Sequence, residues 1–307
     1  MPSCDTIRNY HKQQAEDQSR TEARRHVATI RNAVEIAEME IPPIDWLVQT
    51  LIAPGMTTIA GQSGAGKSWL LLQLGLALSA GGFFLGSLRC RKADVLYLAL
   101  EDSNWRIKSR LLRLGMNITR GLYVDTANEV TPKNINLILD EMPTVKMVII
   151  DTLGRYLQGE NVDGNDYMEM TNVVGQMHDI AKKRDIAIIA CTHTRKGAKI
   201  EDGIDGVIGS KAIVGVSDTI LMLTRKHEST EGKLYVTGRD IQERTIEIEH
   251  TDNWLWHDIN ADASTPDRLS EFDYVPDTNC TKCGGTGVYS YDDHEGHHTV
   301  HCDCGYF

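Results

Sequence analysis

The 307 residues suit one sizeable α/β domain with smaller appendages, and 43 acidic against 32 basic side chains leave a formal net charge of −11. That balance excludes a global basic field for nucleic acid, so any DNA contact must be local, on loops or in the lumen of a ring. The polar start MPSCDTIRNYHKQQ has no apolar core of signal-peptide kind, and the longest apolar run is too short and glycine-interrupted to span a bilayer, which predicts a soluble, cytoplasmic protein with no membrane partner.

Residues 1–19 are a polar lead. From Arg20 to Glu38, Ala23, Val27, Ile30, Val34 and Ala37 recur at helical spacing, which predicts an amphipathic helix outside the main domain. Such a helix either packs on its own domain or serves as an arm that docks on a neighbouring subunit. Pro42-Pro43 ends it.

Met56 to Ala60 reads as a short buried strand and Trp69 to Leu78 as an apolar helix. Between them, GQSGAGKS (Gly61 to Ser68) fits the phosphate-loop pattern G-x-x-x-x-G-K-S/T without a mismatch. The strand–loop–helix setting is the context the motif requires. Gly61, Gly64 and Gly66 let the backbone curl so that its N–H groups and the helix start face phosphate oxygens. Gln62, Ser63, Ala65 and Trp69 complete the predicted nucleotide-binding stretch. Lys67 is placed to reach the β/γ-phosphates, and the Ser68 hydroxyl to ligate Mg2+.

Ala93 to Leu100 is a second strand, ending in Glu101-Asp102. A carboxylate at the carboxyl end of a core strand faces the ligand crevice of an open α/β sheet. Glu101 is therefore the candidate to orient an attacking water, while Asp102 better fits a cap or first-turn acid of the helix predicted at Trp105 to Leu114. Val145 to Ile150 is a strand closed by Asp151, the Walker B arrangement for holding Mg2+. Residues 154–170 read as a polar loop, and a helix follows around Asn172 to Lys183. Ile186 to Cys191 is a fourth strand, after which His193 is placed either to sense the γ-phosphate or as an ordinary strand-end histidine. A second Gly-rich loop covers 195–209. Strands at Ser217 to Leu223, Leu234 to Thr237 and Thr245 to His250 complete a mostly parallel sheet with antiparallel strands at one edge.

Taken together, WLVQTLIAPGMTTIAGQSGAGKS, YLALEDSNWRIKSRLLRLG, VIIDTLGR, ACTHTRKG, GSKAIVGVSDTILML and VTGRDIQERTIEIEHTDNWLW resemble a RecA-fold ATPase. More specifically they are similar to plasmid RepA-type and phage hexameric helicases of the DnaB-like superfamily, over about residues 44–257. The resemblance implies ATP and Mg2+ at Lys67 and Ser68, Glu101 as catalytic carboxylate, Asp151 as Walker B acid and His193 as sensor. It also implies that Arg239 is an arginine inserted into a neighbouring subunit's site, a role worth about 10³–10⁵ in rate; the other reading of Arg239 is a turn arginine paired with Asp240 or Glu243. The lysine that such helicases commonly place two residues before this arginine is Thr237 here. The two central loops are acidic, with Arg155, Arg195, Lys196 and Lys199 as their obvious phosphate contacts.

Residues 258–279 read as a linker. The C-terminal residues 280–307 carry Cys280-x-x-Cys283 and Cys302-x-Cys304, four thiolates for a tetrahedral Zn2+. The segment resembles half of the Cys-x-x-Cys-x-Gly-x-Gly zinc modules of DnaJ-type chaperones, with a second pair one residue tighter. His294, His297, His298 and His301 fit hairpin-tip residues better than substitute ligands. The expected organisation is thus a helical arm (1–43), a RecA-like ATPase domain (44–257), a linker and a zinc module that contacts DNA or a replication partner. The expected activity is ATP-driven translocation on single-stranded DNA by a hexameric ring, a DNA helicase of replication. A filament-forming recombinase and a regulatory or loader ATPase that binds protein are the alternatives.

Overall fold

In the computed structural model the described residues are 29–158, 167–194 and 211–261, with isolated positions between 13 and 27 and the backbone of 288–293 and 296–301. The chain divides into two compact units, Met1–Ile44 and Asp45–Phe307.

In the first unit the helix expected over Arg20 to Glu38 is interrupted. Residues 30–32 are not helical, and a separate short helix α1 spans Ala33–Ala37. The cause is a capping box: the Asn32 side chain accepts the N–H groups of Val34 and Glu35, and Glu35 accepts the N–H of Asn32. Reading apolar spacing alone misses such a start signal. Val27, Ile30, Val34 and Ile36 are all exposed.

The second unit is built on a nine-stranded sheet. Its strands are β1 Gly55–Gly61, β4 Asp94–Ala99, β5 Leu122–Asp125, β6 Val145–Asp151, β7 Ala187–His193, β8 Thr219–Arg225, β9 Glu231–Gly238, β10 Arg244–His250 and β11 Trp256–Asp258. Their order is β11-β10-β9-β8-β1-β7-β6-β4-β5. From β8 to β5 the neighbours run parallel, while β9, β10 and β11 are added antiparallel, as expected from the sequence. A small hairpin pairs β2 (Phe83–Phe84) with β3 (Leu88–Arg89).

Helices cover both faces, so the central strands are apolar on both sides and read as unbroken hydrophobic runs. Successive residues alternate between two cores. Ile59, Val95, Tyr97, Met147, Ile149 and Ile189 pack with helix α2 (Lys67–Ala80). Met56, Leu96, Leu98, Val148, Ile150 and Ile188 pack with helices α4 (Ile135–Glu141), α5 (Leu153–Leu157) and α6 (Tyr167–Arg184). Helix α3 (Asn104–Leu114) starts from Ser103, whose hydroxyl accepts the Arg106 N–H, and it stops at Gly115 in the left-handed region. Helix α7 (Lys211–Val216) precedes β8.

Helix α2 is enclosed nearly all round, with even Gln73 and Ser79 buried. Gln73 is satisfied by the short strand β11: its amide donates to the Trp256 carbonyl at 2.7 Å and accepts the Trp256 N–H at 2.8 Å. Sequence reasoning placed no strand there, because three residues show no period. The expected loop 154–170 is also corrected at both ends. Leu153, Tyr156 and Leu157 form one buried helical face of α5, capped by Thr152, and α6 begins at Tyr167. One turn of helix is too brief to stand out from the polar average of that stretch. The second loop, 195–209, lies outside the described residues.

At the C-terminus, β12 (Val288–Asp293) and β13 (Gly296–His301) pair as an antiparallel hairpin. His297, His298 and His301 therefore belong to a strand rather than to the hairpin tip. His294, Cys280, Cys283, Cys302 and Cys304 lie outside the described residues.

Candidate nucleotide site

The parallel strands end together along one edge of the sheet. Gly61 at the end of β1 is in register with His193 at the end of β7, and Ala99 of β4 with Asp151 of β6. Glu101 follows two residues after β4, tied back by the Leu100 N–H to the Asp151 carbonyl at 2.9 Å. The topology thus gathers Lys67, Glu101, Asp151 and His193, which are dispersed over 126 positions of sequence. All four were singled out from the sequence.

The phosphate loop joins β1 to α2. Gly66 is the N-cap of α2, with φ +104, and no side chain supplements the cap. A Cβ on Gly66 would meet the Trp256 ring at 2.8 Å, so both backbone conformation and space require glycine. Gln62, Ser63 and Gly64 are exposed at the loop crest, Ala65 is buried, and Ser68 and Trp69 are half-buried at the start of α2.

Lys67 is only 6% exposed. Its ammonium donates to the carbonyls of Gly61 at 2.7 Å and Gln62 at 3.0 Å, and lies 3.4 Å from His193 Nδ1. Burial holds its pKa below the ordinary lysine value, against the opposing pull of Cys191, Asp151 and Glu101. Desolvation and then the neighbouring ammonium likewise hold His193 below the ordinary imidazole value, so it is a neutral hydrogen-bonding group at pH 7. Asp151 is buried and accepts a hydrogen bond from Tyr97. Glu101 accepts one from the Thr152 hydroxyl at 2.7 Å. Asp102 is turned to the neighbouring helix instead, where it pairs with Arg106 at 2.9 Å and with Arg110, both on α3.

An aromatic and cationic wall backs the loop, and of its members sequence reasoning had identified only Trp69. Trp69 stacks on Trp254 at 5.6 Å, and Trp254 on His250 at 4.3 Å. Arg225 at the end of β8 lies over Trp254 while donating to the carbonyls of Gly64 at 2.7 Å and Ala65 at 3.3 Å. The aromatic-rich WLW after the last long strand is the signal that could have exposed this wall.

Arg239 is not brought to this site. It follows β9 at Gly238, whose register partner Thr219 faces Thr57 near the start of β1. That is the opposite end of the sheet, roughly 13 Å below Gly61 at a strand rise of about 3.3 Å per residue. There its guanidinium donates to Asp218 Oδ1 at 3.2 Å and to the Gly215 carbonyl at 3.0 Å, leaving the side chain 57% exposed. It lines an open hollow with His178 and Val216. The pairing expected with Asp240 or Glu243 is taken instead by Asp218. Of the sequence-predicted DNA contacts, Arg155 is exposed on α5, and Arg195, Lys196 and Lys199 lie outside the described residues.

A parallel sheet, a phosphate loop at the end of its first strand, and carboxylates at the ends of β4 and β6 define a RecA-fold P-loop ATPase. A solved ATPase domain shares the fold, with a TM-score of 0.54 and 14% identity over 67% of this chain and 85% of that one. The chain belongs to the AAA domain family, whose model matches residues 16–199. It is similar to DNA repair protein RadA of Mycobacterium tuberculosis (strain CDC 1551 / Oshkosh), 27% identical over 214 residues covering 64% of this chain and 40% of that protein. RadA of Streptococcus pneumoniae (strain ATCC BAA-255 / R6) is 27% identical over 185 residues, 58% of this chain and 38% of that protein. The chain thus spans about two fifths of the length of these curated relatives. The family implies ATP and Mg2+. Among the described residues no helix is long and apolar enough to cross a membrane, and no group of His, Cys, Asp and Glu forms a metal cluster.

Proposed function

We propose that the chain is a Mg2+-dependent ATPase of a ring, hexameric in its working form, that moves along single-stranded DNA as a replicative helicase. The observation that supports this best is the separation of Arg239 from Lys67, Glu101, Asp151 and His193. An arginine at the far end of the sheet lies too far away to serve its own site, which supports a role in the site of a second copy.

The residues present fit the nucleotide and its metal. The loop offers backbone N–H groups and the Lys67 ammonium to phosphate, and the hard oxygens of Ser68 and Asp151 suit Mg2+. The bound metal would neutralise charge on the phosphates. Lys67 exchanges its carbonyl partners for the β/γ-phosphates, Glu101 orients the attacking water, and His193 donates a ring N–H to the γ-phosphate. Arg239 of the adjoining copy stabilises charge developing at the transferred group. Arg155, Arg195, Lys196 and Lys199 provide the DNA contacts, few enough that binding falls away at modest salt. For the C-terminal segment we keep Zn2+ on Cys280, Cys283, Cys302 and Cys304, with a replication protein or DNA as its target. The pairing of Val288 with His301 supports it, because both chain directions leading to the cysteine pairs leave from one end of the hairpin.

Similarity to RadA favours a second reading, a recombination ATPase that forms filaments on DNA; a loader ATPase that binds protein is the third. The test is ATP hydrolysis with and without single-stranded DNA, for the wild type and R239A, with particle size read by mass photometry. DNA stimulation lost in R239A, on particles of one discrete ring size, supports the helicase reading. Particles that lengthen on DNA transfer the assignment to the filament. No response to DNA removes both.

A further inference from the structure

Tyr97 lies in the middle of β4, wholly buried in the core face shared with α2. Register sets Tyr97 opposite Ile149, two residues before Asp151 on the neighbouring strand. The ring therefore runs along the sheet towards the phosphate end, and its hydroxyl donates to Asp151 Oδ2 at 2.8 Å. Phenylalanine would fill the same apolar space; only the hydrogen bond requires the phenol. Asp151 is itself buried, so the bond is charge-assisted and shielded from water.

We infer that Tyr97 is a positioning residue for metal binding: by engaging Oδ2 it fixes the rotation of the Asp151 carboxylate and leaves Oδ1 to serve Mg2+, through water or alongside Ser68. The Cys191 thiol also bonds this carboxylate, but as a weak donor. Without the phenol the carboxylate would be held less firmly, share its time among orientations and hold the metal less well. Groups one bond removed from a metal ligand typically change metal affinity about 10–100-fold. The inference rests on the reading of Asp151 as the metal-holding acid.

The test uses the full chain with a non-hydrolysable ATP analogue, and Mn2+ as the probe, its free concentration read by electron paramagnetic resonance. Y97F is expected to raise the Mn2+ dissociation constant about tenfold, with affinity for the analogue in chelator unchanged. D151N is expected to weaken Mn2+ at least as much, and Y97F added to D151N to do nothing more. That double variant leaves no buried carboxylate short of a donor, so it keeps the test readable if Y97F alone is destabilised. Wild-type Mn2+ binding by Y97F beside a weakened D151N overturns the role of Tyr97 alone. Further weakening by Y97F within D151N overturns it too, since the effect then bypasses Asp151. Wild-type binding by D151N removes the reading of Asp151 itself.

Discussion

The two ends of β1 carry opposite kinds of chemistry. At Gly61 the chain opens into a glycine-rich loop that exposes backbone donors and gathers a lysine, two carboxylates and a histidine from four separate stretches. At Gly55 the backbone is closed off. Asp218 accepts the Met56 N–H at 2.9 Å, binds Arg239, and lies 3.1 Å from His178 Nε2. One end is arranged to receive a ligand, the other to hold one arginine in place at an open surface. The lesson is that the two ends of the parallel strands carry separate chemistry, and in the proposed ring the site at one end of a copy would be finished by the opposite end of the next.

The sharpest way to break that comparison is to mix defects. R239A and E101Q are each expected to lower hydrolysis by about 10³-fold, with ATP binding retained. When the two are mixed, sites form that have Glu101 from one copy and Arg239 from the other, and activity returns. Absence of any recovery in steady-state hydrolysis would place both residues in the same copy's site. G66A comes next. A side chain there opposes the Trp256 ring and a φ of +104, so we expect nucleotide binding weakened by about a hundredfold or more and about 1–3 kcal/mol of stability lost, read by calorimetry and denaturant melts.

Smaller effects sharpen the roles at each end. T152V removes the donor to Glu101 and should lower kcat about tenfold with KM unchanged, while T152S restores it; a change in KM alone would dismiss the orienting role. At the far end D218N removes the charge facing Arg239, with an expected loss of about 1–3 kcal/mol in stability and a several-fold fall in hydrolysis but not in ATP binding. The smallest effect belongs to K67M. Because burial holds Lys67 below its ordinary pKa, the unfolded chain binds that proton more readily, and wild-type stability rises with pH between the folded and unfolded values. K67M should therefore melt higher than wild type at neutral pH without ATP, by a margin that narrows as pH approaches 10.5.

Much of this molecule was legible in the chain. GQSGAGKS, the carboxylates closing YLAL and MVIID, and a mostly parallel sheet with antiparallel strands at one edge followed from local rules, since a phosphate loop needs its glycines at fixed spacing and buried parallel strands need apolar runs. What stayed hidden was decided by contacts between distant residues. The Asn32 capping box divides an apolar period that looked continuous. One turn of helix at Leu153 exists because three side chains find the core, and β11 because Gln73 can bond its backbone.

The sequence by itself determined which residues can handle phosphate, because that chemistry depends on residue type and spacing along the chain. Only the tertiary structure decided that Tyr97 reaches Asp151, that Arg225 and Trp254 brace the loop, and that Asp218, not Asp240 or Glu243, holds Arg239. Those pairings depend on strand register and side-chain length across a sheet, where neighbours in space are set by the pleat and the crossovers rather than by distance in sequence.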